Sequence, residues 1–147
     1  MQTFTGKQFV PLNPDPDMIC IEDIAHALSH ICRYGGHVRT HYSVAQHSVL
    51  VASCLPPELA LTGLLHDATE AYLGDVVRPL KLSLPDYQAI EDSLSLIIGE
   101  KFGVQLLPMP PLVKEMDTRI LSNERRVLFD IQLGWSSDAL PPAPINT

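Results

Sequence analysis

The run Leu64-Leu65-His66-Asp67-Ala68-Thr69-Glu70-Ala71-Tyr72 places an imidazole and a carboxylate side by side at the polar end of an otherwise apolar helix. Neighbouring residues on a helix point about 100° apart, so His66 and Asp67 do not share one face. Both side chains can reach a single ion only if the ion lies beside the helix, between them. Further ligands must then come from other segments.

Apolar residues recur at helical spacing in four other segments, so the sequence predicts an all-α fold of about five main helices. A small β-hairpin over residues 3 to 10 can precede them, because the residues alternate loosely around a glycine. The tail from residue 137 to 147 is proline-rich and is predicted to be extended. The first predicted helix begins at Ile21 and ends before the glycines at 35 and 36. The second follows the Ser43 cap and ends at about Leu55. The other three are predicted over 57–73, 85–102 and 112–133.

The composition excludes several classes of protein. A chain of 147 residues is long enough for one domain with a buried core, here expected over about 21–133. Its net charge of −7 argues against binding to a nucleic acid polymer, although a small phosphorylated ligand needs only local cations. No apolar run has the length of a membrane span, and no export signal is recognisable. Three cysteines without C-x-x-C spacing favour a reducing cytoplasm.

Two polar residues on apolar helix faces are candidates for the missing ligands. His47 lies between Val44 and Val51, and Asp117 lies between Val113 and Ile120. Each also has a simpler interpretation, in which His47 bonds a backbone carbonyl and Asp117 pairs with an arginine such as Arg119 or Arg125. Together with His66 and Asp67, however, they would make a site of two imidazoles and two carboxylates, which suits Zn²⁺, Co²⁺, Mn²⁺ or Fe²⁺.

The order His47, His66-Asp67, Asp117 resembles the H…HD…D signature of the HD-domain metal-dependent phosphohydrolases. Residues 42–48, Tyr-Ser-Val-Ala-Gln-His-Ser, are similar to the segment around the first histidine of that family. Residues 66–70, with Gly74-Asp75 and Pro79 to Lys81, resemble the H-D-A-S/T-E…G-D…P-x-K block of its deoxynucleotidase branch. The similarity extends from about Ile21 to Phe129.

The resemblance implies a role for each matching residue. His47, His66, Asp67 and Asp117 would hold a divalent transition metal, Glu70 would be the general acid/base, and Asp75 would position the attacking water. The alternative for Glu70 and Asp75 is that both are solvated surface carboxylates.

Cations near such a metal should hold phosphates. Arg33 and Lys81 are the leading candidates, and His37 can also reach a phosphate. The pair Arg33-Tyr34 resembles an Arg-aromatic pair in the nucleotide pocket of the deoxynucleotidase branch, which usually has Trp in place of Tyr34. The resemblance therefore implies that Tyr34 stacks on a base.

The implied function is hydrolysis of a small nucleotide. A deoxynucleoside triphosphohydrolase is favoured, with dATP as the substrate and further Mg²⁺, Co²⁺ or Mn²⁺ ions bound with it. The alternatives are a 5′-deoxynucleotidase acting on monophosphates, a cyclic-nucleotide phosphodiesterase, and a non-catalytic metal-binding module. A homo-oligomer is also expected, because the predicted fifth helix and its extension carry Leu128, Phe129, Leu133 and Trp135.

Overall fold

The chain is all-α, as predicted. The computed structural model describes residues 1–134 and 140–145, so Trp135 and the predicted tail residues 137–139, 146 and 147 lie outside the described residues. Two 3₁₀ turns, Pro16–Met18 and Tyr34–Gly36, accompany the helices. The α-helices within the described residues are α1 (Ile21–His30), α2 (Val44–Ser53), α3 (Pro57–Leu65), α4 (Glu70–Leu73), α5 (Arg78–Lys81), α6 (Pro85–Phe102) and α7 (Pro111–Leu128).

Local sequence signals correctly place the start of α2 and the end of α6. Ser43 accepts a hydrogen bond from the Gln46 amide, and the Gln46 side chain accepts one from the Ser43 amide, which completes the capping box before α2. Helix α6 spans the predicted 85–102, and Gly103 ends it in the left-handed conformation (φ 70°) that glycine tolerates.

Other boundaries differ from the prediction. The helix expected over 57–73 is divided into α3 and α4, and the expected loop from 74 to 84 contains the short helix α5. Helix α1 ends at His30 because the next residues are extended, with the Val44 amide donating to the Ile31 carbonyl. Helix α7 ends at Leu128 rather than at the predicted residue 133, and the Arg39 amide donates a hydrogen bond to the Leu128 carbonyl.

Two apolar clusters form the core, and α2 contributes to both. The larger cluster packs α1, α2, α3, α4 and α6 around residues such as Leu65, Leu94 and Ile98. The smaller cluster packs α2 against α7, with Ala143 of the C-terminal segment added. Because α2 lies between the two clusters, its inward-facing residues are fully enclosed.

The segments at the two ends of the chain are not helical within the described residues. The first ten residues pair their backbones around Gly6 through a single Gln2–Gln8 bridge, so the predicted β-hairpin is reduced to a turn without regular strands. Residues 140–145 form neither helix nor strand, and the Ile145 amide bonds the Ala143 carbonyl in a tight turn, so the predicted extended tail is not seen in these residues. Asn123 bonds both the amide and the carbonyl of Ala143.

The surface expected to join subunits is partly used within the chain. Leu128 is buried, and the ring of Phe129 contacts Tyr34 edge-on, whereas Leu133 is exposed. Oligomerisation stays a prediction. No helix among residues 1–134 and 140–145 combines the length and apolar character needed to cross a membrane.

Gly99 marks a close approach between α6 and the chain that follows it. A Cβ atom at this position would lie 2.6 Å from the backbone carbonyl oxygen of Val104. Alanine usually favours a helix over glycine by about 1 kcal/mol, but here the contact is with backbone, which cannot rotate away.

We therefore expect Gly99→Ala to destabilise the protein by about 1–3 kcal/mol, the usual cost of overpacking. Thermal unfolding followed by circular dichroism measures the change. Gly134→Ala is the matched control, since a Cβ there meets nothing within 4 Å. A Gly99→Ala protein as stable as the parent would contradict the packing described at this contact.

Candidate metal centre

Three segments bring the four predicted metal ligands together. His47 lies on α2 and is fully buried, Asp117 lies on α7, and His66 and Asp67 lie in the turn between α3 and α4. The His47, His66 and Asp67 side chains each offer one ligand atom, and these atoms all lie within 4.8 Å of one another. The structure thus contains a candidate metal-binding triad of two histidines and an aspartate.

The contacts between these side chains include Asp117. The Nε2 atom of His47 lies 2.9 Å from Asp117 Oδ1 and 3.3 Å from His66 Nε2. His66 Nε2 lies 3.1 Å from Asp67 Oδ2 and 3.7 Å from Asp117 Oδ1. Two ligand atoms bound to one tetrahedral Zn²⁺ lie about 3.4 Å apart, because each bond to the ion is about 2.0–2.1 Å long. The spacing therefore fits one divalent ion after small side-chain adjustments.

A tightened turn carries the adjacent ligands His66 and Asp67. The amides of Ala68 and Glu70 bond carbonyls three residues earlier, at 2.9 and 3.0 Å, rather than four residues earlier. Such 3₁₀ pairing interrupts the regular helix that the sequence predicts and separates neighbouring side chains by about 120°. In this turn His66 Nε2 and Asp67 Oδ2 lie 3.1 Å apart, so the two neighbouring side chains do meet at one point.

Hydrogen bonds orient both imidazole rings. His66 Nδ1 donates to the Gly63 carbonyl at 2.6 Å, and His47 Nδ1 lies 2.5 Å from Glu124 Oε1, an oxygen that accepts. With Nδ1 carrying the proton, each Nε2 faces the ligand cluster. A metal-bound histidine usually has this arrangement, in which its other ring nitrogen donates to a carboxylate or a carbonyl.

The charges of the cluster compensate one another. Burial opposes ionisation of Asp67, but the His66 and His47 imidazoles together outweigh burial and lower the pKa of Asp67 to about 2. Burial likewise opposes protonation of His66, and the nearby carboxylates still raise its pKa well above the usual value. Without a metal ion these contacts favour the protonated form of His66, and a divalent cation bound there would displace that proton.

Glu124 belongs to this cluster, although the sequence analysis did not single it out. The residue is 3% exposed, and its carboxylate contacts His47, the Arg33 guanidinium at 3.1 Å, and the Tyr34 hydroxyl. The available signal is its position two helical turns after Asp117, which places both carboxylates on one face of α7. A charged residue at that spacing beside a ligand is a candidate for supporting it.

The predicted phosphate ligand Arg33 lies at the cluster but is already paired. It is 8% exposed, and its guanidinium lies 3.7 Å from Asp67 Oδ2 as well as beside Glu124. Burial opposes ionisation of Arg33, but Glu124 and its other neighbours outweigh burial and raise the pKa.

Tyr34 follows with φ 57°, a left-handed conformation that is uncommon outside glycine. Its hydroxyl bonds Glu124, while the Arg33 guanidinium lies 5.0 Å from the centre of its ring. Base stacking by Tyr34 stays a prediction. His37 is exposed at the end of the same turn.

The remaining predicted site residues flank the metal turn. Glu70 opens α4 and is 7% exposed, and its Oε2 has no hydrogen-bond partner among the described residues. Asp75 is partly buried just after α4, and burial raises its pKa. Lys81 lies at the end of α5 rather than in a loop, and its amine pairs with Glu91 at 3.0 Å.

The chain is similar to two curated proteins. It is 46% identical over 128 residues to the uncharacterized protein YfdR of Escherichia coli K12, in a match that covers 87% of this chain and 71% of YfdR. It is 35% identical over 127 residues to an uncharacterized protein of Rhodobacter capsulatus, and this match covers 78% of the chain and 65% of that protein. The chain belongs to the family of YfdR. No model of a known protein family matches the sequence.

We expect Asp67→Ala to weaken Zn²⁺ binding by at least 100-fold, because the change removes one ligand of a triad. Competition with a chromogenic chelator measures the affinity. Addition of Zn²⁺ should also raise the melting temperature of the parent protein by mass action, but not that of the variant. Asp130→Ala is the control, since this carboxylate is exposed. If Asp67→Ala and the parent protein bound Zn²⁺ with equal affinity, Asp67 would not be a ligand and the assignment of this metal site would be wrong.

Proposed function

We propose that the protein is a metal-dependent phosphohydrolase of deoxynucleotides. The observation that carries the proposal is the combination of a His-His-Asp cluster with a nearby buried glutamate, Glu70, whose Oε2 is unpartnered. A purely structural metal site has no use for such a group, whereas a hydrolytic site needs one. The resemblance to the HD-domain phosphohydrolases supports the same class.

The metal would be held by His47, His66, Asp67 and Asp117. Mixed imidazole and carboxylate ligands suit Zn²⁺, Co²⁺ or Mn²⁺, and Fe²⁺ is a further candidate. When bound, such an ion supplies Lewis-acid chemistry that polarises a phosphoryl oxygen and makes water a stronger nucleophile at neutral pH.

Glu70 would hold or release a proton at Oε2. Burial raises its pKa well above the usual value, and the neighbouring carboxylates of Asp67 and Asp75 raise it further. A carboxyl group with a raised pKa can act as acid or base near neutral pH, which an ordinary surface glutamate does poorly. Asp75 would accept a hydrogen bond from the attacking water and so orient it.

Arg33 and Lys81 would bind phosphate, but each must exchange a partner. Lys81 would leave Glu91, with which it forms a partly buried ion pair, and Arg33 would turn from Asp67 once a cation had neutralised that carboxylate. The preference for a triphosphate over a monophosphate rests on these two cations and on the carboxylates of Glu70 and Asp75, which could hold further metal ions. Both cations are already paired with carboxylates, so little of their positive charge is available to a phosphate chain. A deoxynucleoside monophosphate, which carries less negative charge than a triphosphate, is therefore the second candidate substrate.

Product analysis distinguishes these substrates. We expect the Co²⁺- or Mn²⁺-loaded protein to convert dATP to deoxyadenosine and triphosphate, separated by ion exchange. If the protein is instead a 5′-deoxynucleotidase, dAMP is consumed and inorganic phosphate accumulates, while dATP is not hydrolysed. No hydrolysis of either nucleotide, or of cyclic nucleotides, with any of the metals would contradict the proposed function.

We expect Glu70→Gln to lower kcat by about 10²–10⁴-fold, the usual contribution of general acid–base catalysis. The amide cannot take up or release a proton at this position, whereas its size is nearly unchanged. Metal affinity should stay within a few-fold of the parent value, because Glu70 is not among the four ligands. Glu22→Gln, on the exposed face of α1, is the control.

If Glu70→Gln retained full activity, the catalytic role of this residue would be wrong. A parent protein that binds metal tightly yet hydrolyses no nucleotide would favour the non-catalytic module.

A further inference from the structure

Glu124 is a buried carboxylate with every oxygen engaged. Oε1 accepts a hydrogen bond from His47 Nδ1 at 2.5 Å. Oε2 accepts from the Arg33 guanidinium at 3.1 Å and from the Tyr34 hydroxyl. The side chain is almost completely removed from water, so these donors replace its hydration.

The partners of Glu124 belong to two different parts of the site. His47 is a candidate metal ligand on α2, whereas Arg33 and Tyr34 belong to the 33–36 turn, where phosphate and base contacts are proposed. One carboxylate on α7 therefore bonds both parts. Because its two oxygens are divided between them, neither part can move far without breaking a buried hydrogen bond.

We propose that Glu124 is a positioning residue that holds His47 in the Nδ1–H tautomer and ties this ligand to the 33–36 turn. The bond to Oε1 directs His47 Nε2 towards Asp117 and His66, where a metal ion would lie. Glu124 itself touches neither ion nor substrate. The inference rests on the proposed metal-dependent function, but its test does not need turnover.

The backbone of the turn supports this role. Tyr34 has φ 57°, and Gly35 and Gly36 follow with φ 60° and 81°. A tyrosine in the left-handed region is held there only if its surroundings determine its position. Its hydroxyl bond to Glu124 contributes to that restraint, together with the edge-on contact between its ring and Phe129, and the Arg33 side chain bonds the same Glu124 oxygen.

Glutamine cannot replace Glu124 in this arrangement. If the amide oxygen accepts from His47, the amide NH₂ faces the Arg33 guanidinium, which has no acceptor, and the Tyr34 hydroxyl must reverse from donor to acceptor. If the amide is turned round, the NH₂ faces His47 Nδ1 and favours the tautomer whose Nε2 carries the proton. Either orientation should disturb the metal ligand or the turn, although the volume of the side chain is unchanged.

The test is a Co²⁺ titration of metal-free protein followed by visible absorption, which reports both affinity and ligand geometry. We expect Glu124→Gln to weaken Co²⁺ binding by about 10–100-fold, as losses of such supporting groups do. The spectrum at saturating Co²⁺ should also change. Glu115→Gln is the matched control on the same helix, because Glu115 is half exposed and pairs only with Arg119 among the described residues.

Tyr34→Phe provides a second variant that keeps the ring and removes one donor. If Glu124 joins the turn to the ligand, Tyr34→Phe should weaken Co²⁺ binding, and its effect should not add to that of Glu124→Gln. Circular dichroism of the metal-free proteins checks that both variants fold. Additive effects of the two substitutions would overturn the coupling of turn and ligand.

An unchanged affinity and spectrum in Glu124→Gln would overturn the inference. A weaker affinity with an unchanged saturated spectrum would also overturn it, since Glu124 would then stabilise the fold without positioning His47. The outcome is separable from that of the proposed function. If the parent protein hydrolyses no nucleotide, the proposed function is wrong. If the Glu124→Gln variant nevertheless binds Co²⁺ weakly and with an altered spectrum, the positioning role of Glu124 is still supported.

Discussion

The mutual compensation of charges around His47 is the constraint on which the rest of the structure depends. A fully buried imidazole lies against Asp117 through Nε2 and against Glu124 through Nδ1. An unpaired charge in this position would cost several kcal/mol, so α2 and α7 must keep their relative position for the contacts to hold. The smaller apolar cluster packs the same two helices together. Packing and charge pairing thus require the same helix arrangement.

Much of this arrangement could be predicted because the required residues break the apolar pattern. His47 and Asp117 occupy inward-facing positions on two helices, and a polar residue in such a position needs a partner. The simpler interpretations gave the wrong partners. Arg119 pairs with Glu115 and with carbonyls of the C-terminal segment rather than with Asp117, and His47 bonds a carboxylate rather than a backbone carbonyl.

The remaining features depend on contacts distant in sequence. Glu124 receives hydrogen bonds from residues 77 to 91 positions earlier, and within α7 its spacing of seven residues from Asp117 is the signal that separates it from an ordinary helix-surface glutamate. The break between α3 and α4 is also not predicted, because 66–70 contains neither glycine nor proline, the two strongest helix breakers. The apolar periodicity reports which face of a helix is buried, and it does not report a local change to 3₁₀ hydrogen bonding.

The exposure of the four ligands bears on which kind of metal site this is. The two histidine side chains are 0% and 4% exposed, whereas the side chains of Asp67 and Asp117 are 21% and 34% exposed. The imidazoles therefore form the inner wall of the cluster and the carboxylates its outer edge. Structural zinc sites are closed on all sides, while catalytic sites keep a position open to water or substrate. Glu70 and Asp75, the proposed acid/base and water-orienting groups, lie three and eight residues after Asp67 along the chain, and the Asp67 carboxylate raises the pKa of both. The exposure of Asp67 and Asp117 leaves one side of the ligand cluster facing solvent, which supports the proposed hydrolytic site over a closed structural one.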